Sequence, residues 1–162
     1  MPAPLPPYRC TVEADWTDYN GHLNVAFYVL VFDRATDAAL ACCGLDGALR
    51  ESAGSTVFAA ECHVSYQREL PGGAPLAVDT QILGLDDKRV HLFHTLGHAE
   101  AGWPAASAEF LLLHVDLGSR RVAPWPPAVH ARLAAVRSVH ERLPVPAQAG
   151  RSVQLRRREP QP

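Results

Sequence analysis

A short polar segment that carries two carboxylates stands immediately before an apolar stretch. Residues Asp15–Gly21 read DWTDYNG, and their turn-forming composition indicates a loop. If a helix begins near Val25, its first-turn N–H groups have no partner within the helix and carry the positive end of the helix dipole. A carbonyl laid there would be polarised, and Asp18 could act beside it as a base or a nucleophile. Alternatively, Asp18 merely caps the loop.

The other candidate residues each allow two interpretations. His22 could donate a hydrogen bond to a substrate oxygen or orient Asp18, or it could simply hold the loop. Asn24 is expected to cap the helix rather than contact substrate. Glu61 lies on the polar side of a predicted strand and could face the site from a second copy of the chain, or be solvated.

The elements that must position these residues follow from hydrophobic periodicity. A first strand is predicted at Tyr8–Ala14, and one helix at Val25–Cys43, buried on most sides and ended by Gly44. Alternation of apolar and polar residues predicts a strand with one buried face, Phe58, Ala60, Cys62, Val64 and Tyr66. The predicted antiparallel strands are Ser55–Glu69, Leu76–Leu85, Arg89–Ala99 and Ala105–Asp116. Pro126 and Pro127 open a final helix with Val129, Leu133, Val136, His140 and Leu143 at helical spacing. The order predicts an α+β architecture, one helix against a curved five-stranded sheet.

Composition and motifs exclude several classes of function. The formal net charge of −2 argues against nucleic-acid binding. No stretch is long enough to span a membrane and no signal peptide is apparent, so the expected location is the cytoplasm. The four cysteines have no disulfide or zinc spacing. His94 and His98 are about 13 Å apart on a strand, at ~3.3 Å per residue, so they cannot share a metal ion. Serine-hydrolase and nucleotide-binding motifs are absent, and no cofactor is expected.

The loop and helix together resemble the signature of the hotdog-fold acyl-CoA thioesterases of the 4-hydroxybenzoyl-CoA type. In that family a D-x-D-x-x-G-H-x-N-like loop precedes the central helix, and the second aspartate is catalytic. The matching residues here are Asp15, Asp18, Gly21, His22 and Asn24. This chain departs from the pattern by placing Trp16 and Thr17 between the aspartates. The resemblance covers Tyr8 to Arg121 and implies a hotdog fold, with Asp18 catalytic.

A narrower likeness points to the thioesterases of carnitine breakdown, which act on betainyl-CoA. It rests on the segments DWTDYNGHLNVAFYVLVFDRATDAAL, KRVHLFHTL and LLLHVD. A trimethylammonium acyl group is best held by aromatic faces. The aromatic residues flanking the loop and the helix start are Trp16, Tyr19, Phe27 and Tyr28, of which Trp16 is the preferred candidate, while Phe27 and Tyr28 are expected to be packing residues.

The resemblance also implies a homodimer, with two sites at the seam and a dimer of dimers left open. Residues 1–143 would form a single hotdog domain, and residues 144–162 a flexible Arg/Pro-rich tail. Two functions compete with hydrolysis, of which the first stays open and the second is disfavoured, because Asp33 and Asp37 lie well past the helix N-terminus and no histidine follows His22 there. The first is a non-catalytic acyl-CoA-binding or regulatory protein. The second is a hotdog hydratase, which would need a histidine and a carboxylate on the central helix.

Overall fold

A computed structural model describes residues 5–155 of the chain, and one long helix packed against a curved antiparallel sheet dominates it. The strands are β1 (Tyr8–Thr11), β2 (Ser55–Tyr66), β3 (Pro75–Leu85), β4 (Arg89–His98), β5 (Pro104–Asp116) and β6 (Arg121–Val122). The helices are α1 (Val25–Cys42), α2 (Gly47–Ala53) and α3 (Pro127–His140), with a single 3₁₀ turn at Ala14–Trp16.

Within residues 5–155 the sheet has six strands, one more than the five that the sequence predicted. Its main path runs β1-β3-β4-β5-β2, and all of its pairs are antiparallel. The short β6 pairs with the end of β5 through Val115 and Asp116. This order leaves β2 at one edge of the sheet.

Helix α1 forms where the sequence predicted it, for the reasons predicted. The Asn24 side chain accepts a hydrogen bond from the Ala26 N–H at 3.0 Å, and Gly44, just past the end, adopts φ +89°. The buried positions recur every three or four residues and form one stripe: Tyr28, Val31, Phe32, Ala35, Thr36, Ala39 and Leu40. The expectation of burial on most sides is wrong for the single chain, because Val25 and Val29 on the opposite side are exposed.

His94 connects the middle of α1 to the sheet. It is fully buried, and its ring nitrogens form hydrogen bonds of 2.9 Å with the hydroxyls of Thr36 on α1 and Thr80 on β3. The Phe32 ring stacks on the imidazole at 5.9 Å, and burial lowers the pKa of His94 to about 3. The imidazole is therefore neutral in the folded protein, donating through one nitrogen and accepting through the other.

The side chains of β2 are more exposed than the sequence predicted. Phe58, Cys62 and Tyr66, placed on a buried face by their alternation, are exposed because β2 is an edge strand. A bulge at Ala60, between the Ala59 and Glu61 pairings with β5, also interrupts the alternation. The outer side of this twelve-residue strand, with its exposed apolar side chains, thus has no neighbouring strand among residues 5–155.

The final helix forms where it was predicted but ends at His140, so the expectation that Leu143 belongs to its apolar face is wrong, and Leu143 is exposed. Helix α3 buries Val129, Leu133, Val136 and His140, and the Ile82 N–H donates to His140 Nδ1 at 2.9 Å. Beyond it, the Gly150 N–H donates to the Glu109 carboxylate at 2.8 Å on the sheet. Residues 156–162 of the expected tail lie outside the described residues, and the domain boundary at Leu143 stays a prediction. No described helix is long and apolar enough to cross a membrane.

Candidate active site

The loop before α1 is held by backbone hydrogen bonds at both of its ends. The Asp18 N–H donates to the His22 carbonyl at 2.9 Å, and the Gly21 N–H donates back to the Asp18 carbonyl at 2.9 Å, with Gly21 at φ +75°. A side chain at Gly21 would be strained in this left-handed conformation. The Asn24 N–H donates to the Trp16 carbonyl at 2.8 Å, which closes the loop against the start of α1.

A cavity of about 390 Å³ opens beside this loop and brings three predicted catalytic residues to one place. Asp18, His22 and Val25 all line it. The Asp18 carboxylate accepts a hydrogen bond from the Asn20 N–H at 2.8 Å through Oδ1. Asp18 therefore does cap its own loop, as one interpretation predicted. This contact uses only Oδ1, and the side chain still lines the cavity.

The first turn of α1 presents one unused donor. The Ala26 N–H is taken by the Asn24 side chain, and the Phe27 N–H donates to the Asn24 carbonyl at 2.9 Å. The Val25 N–H has no acceptor among the described residues. Of these first-turn N–H groups, the one at Val25 is thus left for a substrate oxygen.

The other predicted site residues, His22, Asn24 and Glu61, have three different surroundings. The His22 Nδ1 lies 3.4 Å from a Glu69 carboxylate oxygen, so its charged partner is Glu69 rather than Asp18. Asn24 is the helix cap, as expected, and not a lining residue. Glu61, on β2, lines a separate cavity together with His91 and Glu109, away from Asp18 within the chain.

Trp16, the preferred aromatic candidate, does not line the Asp18 cavity, and this corrects the sequence prediction. Trp16 is only 5% exposed and belongs to the core, where its ring stacks on Phe27 at 5.8 Å and Arg34 lies 5.1 Å from it. Tyr19 is 98% exposed and also lies outside the cavity lining. Trp16 is therefore a core packing residue, which the turn-rich sequence around it did not indicate.

The structure adds residues that the sequence analysis missed or undervalued. Tyr28, expected to be packing, lines the cavity with Tyr66, their rings 5.2 Å apart and nearly perpendicular. Burial raises the pKa of both phenols, and the Tyr28 hydroxyl donates to the Arg68 carbonyl at 3.4 Å. Gln67, Arg68 and Glu69 complete this wall. The polar run after an alternating strand was the only signal that could have found them.

The described residues contain no group of three or more histidine, cysteine, aspartate or glutamate side chains arranged to hold a metal ion. The groups that the cavity brings together are a carboxylate, a backbone N–H, a His–Glu pair and two tyrosine rings. These groups can polarise a carbonyl and activate water or attack the carbonyl carbon directly.

Comparison with known proteins places the chain in a family. The model of the thioesterase-like superfamily matches residues 12–133. The chain belongs to this family. A betainyl-CoA thioesterase of Pseudomonas aeruginosa is 44% identical over 93% of this chain and 95% of its own length. A fused L-carnitine dehydrogenase/betainyl-CoA thioesterase of Agrobacterium fabrum is 38% identical over 93% of this chain, which spans 30% of that longer protein.

Similar solved structures agree with this assignment. A Staphylococcus aureus protein determined in complex with CoA superposes with a TM-score of 0.87 at 27% identity, covering 93% of this chain and 94% of that one. A Pseudomonas putida protein with a provisional thioesterase assignment gives a TM-score of 0.82 at 39% identity, covering 96% and 99%. The predictions of an α+β hotdog fold and of an acyl-CoA thioesterase are confirmed.

Proposed function

We propose that this thioesterase hydrolyses betainyl-CoA to betaine and CoA, with Asp18 as its central catalytic residue. The observation that carries the mechanism is the meeting of the Asp18 carboxylate and the unpaired Val25 N–H at one cavity. The substrate is proposed from the Pseudomonas aeruginosa relative, which this chain matches over nearly its whole length.

The reaction begins with the thioester carbonyl oxygen accepting a hydrogen bond from the Val25 N–H. A helix N-terminus stabilises the negative charge that develops on this oxygen as the carbonyl carbon becomes tetrahedral. Asp18 either removes a proton from the attacking water or attacks the carbon itself, forming an anhydride that water then hydrolyses. In both routes the new bond joins oxygen to the carbonyl carbon, the C–S bond breaks, and the CoA sulfur leaves as a thiolate that takes up a proton.

His22 and Glu69 form the supporting pair in this proposal. Their 3.4 Å contact orients the imidazole at the cavity, where it can donate to the substrate oxygen or to the departing sulfur. Asp18 and Glu69 both bring carboxylates to the cavity, whereas its one arginine, Arg68, is stacked over the Trp103 ring. This charge pattern favours a positively charged acyl group over a carboxylated one.

We also propose that the functional unit is a homodimer formed through β2. A twelve-residue edge strand with exposed Phe58 and Tyr66 invites pairing with a second copy about a two-fold axis. Glu61 lies on this strand, so only the copy across the seam could bring it near a site. Cytoplasmic location and any dimer of dimers stay predictions.

A free-thiol assay with betainyl-CoA, acetyl-CoA and longer acyl-CoAs tests the proposal. The proposal is supported if thiol is released faster from betainyl-CoA than from any other ester of the panel. Tight acyl-CoA binding with no thiol release from any ester would instead support the alternative of a non-catalytic acyl-CoA-binding protein.

A further inference from the structure

Tyr28 and Tyr66 form an aromatic corner in the wall of the Asp18 cavity. Tyr28 comes from α1 and is buried, whereas Tyr66 ends β2 and is 47% exposed. Their ring centroids are 5.2 Å apart and their planes meet at 82°. Two nearly perpendicular rings offer walls in two directions, an arrangement suited to a compact, roughly spherical group.

The position of Tyr28 relative to the backbone donor limits which part of a substrate can reach this corner. Tyr28 follows Val25 by three residues, about 4.5 Å along the axis at a rise of 1.5 Å per residue, on the same side of the helix. Val25, Tyr28 and Tyr66 line the same cavity, so a substrate whose carbonyl oxygen meets the Val25 N–H can place its acyl group on the side of the two rings.

The charges around the corner are predominantly negative. The Glu69 carboxylate stands at the cavity close enough to Tyr28 to contribute to raising its pKa, and Asp18 lines the same space. The Arg68 guanidinium, the cation of this wall, is stacked over the Trp103 ring at 4.0 Å. His22 is paired with Glu69.

We infer that Tyr28, Tyr66 and Glu69 form an acyl subsite for a quaternary ammonium group separated by one carbon from the thioester carbonyl. A trimethylammonium cannot donate hydrogen bonds or lose its charge, and aromatic faces with a nearby carboxylate are the groups that bind it best. Trp16 cannot take this role, since it lies in the core. The inference rests on the proposed thioesterase function and identifies what gives that function its selectivity.

The experiment compares kcat/KM for betainyl-CoA with that for its neutral isostere, 3,3-dimethylbutyryl-CoA. The wild-type protein should prefer the cationic ester by at least tenfold. Tyr66→Leu, at a half-exposed position where folding is not at risk, should lower this preference about tenfold, mainly through betainyl-CoA. Tyr66→Phe keeps the ring and should retain the preference for betainyl-CoA. Glu69→Gln removes a negative charge and should lower that preference severalfold. This loss should be smaller at high salt, because salt screens the attraction between the carboxylate and the ammonium group.

The outcomes separate the subsite from the reaction. Hydrolysis of both esters at equal kcat/KM by the wild-type protein overturns the cation subsite and leaves the thioesterase intact. A wild-type preference that survives Tyr66→Leu overturns the assignment to these rings. Failure to hydrolyse either ester, or any member of the acyl-CoA panel, overturns the proposed function and the subsite with it.

Discussion

The Asn20 N–H donates to Asp18 Oδ1 at 2.8 Å, so one oxygen of the central carboxylate is fixed by its own loop. The second oxygen, Oδ2, has no protein partner among residues 5–155. An oriented carboxylate with one oxygen available is what the proposed attack or proton removal needs.

Asp18→Asn should lower kcat by about 10²–10⁴, since the amide keeps the size and the Asn20 contact but cannot act as a base or nucleophile. Thiol release measures the loss, and circular dichroism checks the fold. Asp15→Asn is the matched control, because Asp15 is an exposed carboxylate of the same loop outside the cavity lining. An Asp18→Asn protein with more than a tenth of wild-type turnover would show that another group does the chemistry.

Asn24→Ala should destabilise the protein by about 0.5–2 kcal/mol, because the Ala26 N–H loses its acceptor. It should also lower kcat, since a second unpaired N–H and a frayed first turn misplace the Val25 donor. Chemical denaturation and thiol release measure the two effects. Asn24→Asp retains a capping oxygen and should keep most of the stability; equal losses in both variants would contradict the capping role.

The free energy of unfolding should fall as pH drops below about 6.5. In the folded protein burial holds the pKa of His94 at about 3, so only the unfolded chain takes up this proton between those values. One such histidine removes about 2 kcal/mol of stability between pH 7.5 and pH 5.0. His94→Gln should be less stable at pH 7.5 but lose correspondingly less on acidification. Burial also lowers the pKa of His140, so some pH dependence should persist. An unchanged slope in His94→Gln would refute this account.

Light scattering at micromolar concentration should give about twice the chain mass of 17.6 kDa. Phe58→Lys places a charge on the unpaired edge and should shift the protein toward monomer. Val122→Lys is the matched control, because Val122 is an exposed apolar residue on β6, away from that edge. A wild-type protein that is monomeric at this concentration would refute the proposed dimer, and with it any role of a partner's Glu61 in the site.

Local signals in the sequence predicted the helix and its ends well. Asn24, the buried stripe of α1 and Gly44 act within a few residues of one another, so their effects can be read directly. Helix α2 was missed although Asp46 caps it by accepting from the Leu49 N–H, because seven residues give too little periodicity.

Contacts between residues distant in sequence could not be predicted in this way. The alternation in Ser55–Glu69 gave the strand but not its edge position, which depends on the order of strands in the sheet. The Tyr28–Tyr66 contact joins residues 38 positions apart in the chain, and the packing of Trp16 depends on how the loop closes on α1. The loop motif was enough to predict where the cavity lies, but the contact of Tyr28 with Tyr66 in its wall could be seen only in the folded chain.

The free donor at Val25 belongs to the peptide backbone, which makes it invisible to conventional mutagenesis. The Val25 side chain is exposed, so alanine scanning should record this position as tolerant. Only replacement of its amide nitrogen by an ester oxygen, introduced by chemical ligation, would remove the N–H. A search for the site by side-chain chemistry would therefore find the Asp18 carboxylate and overlook this N–H.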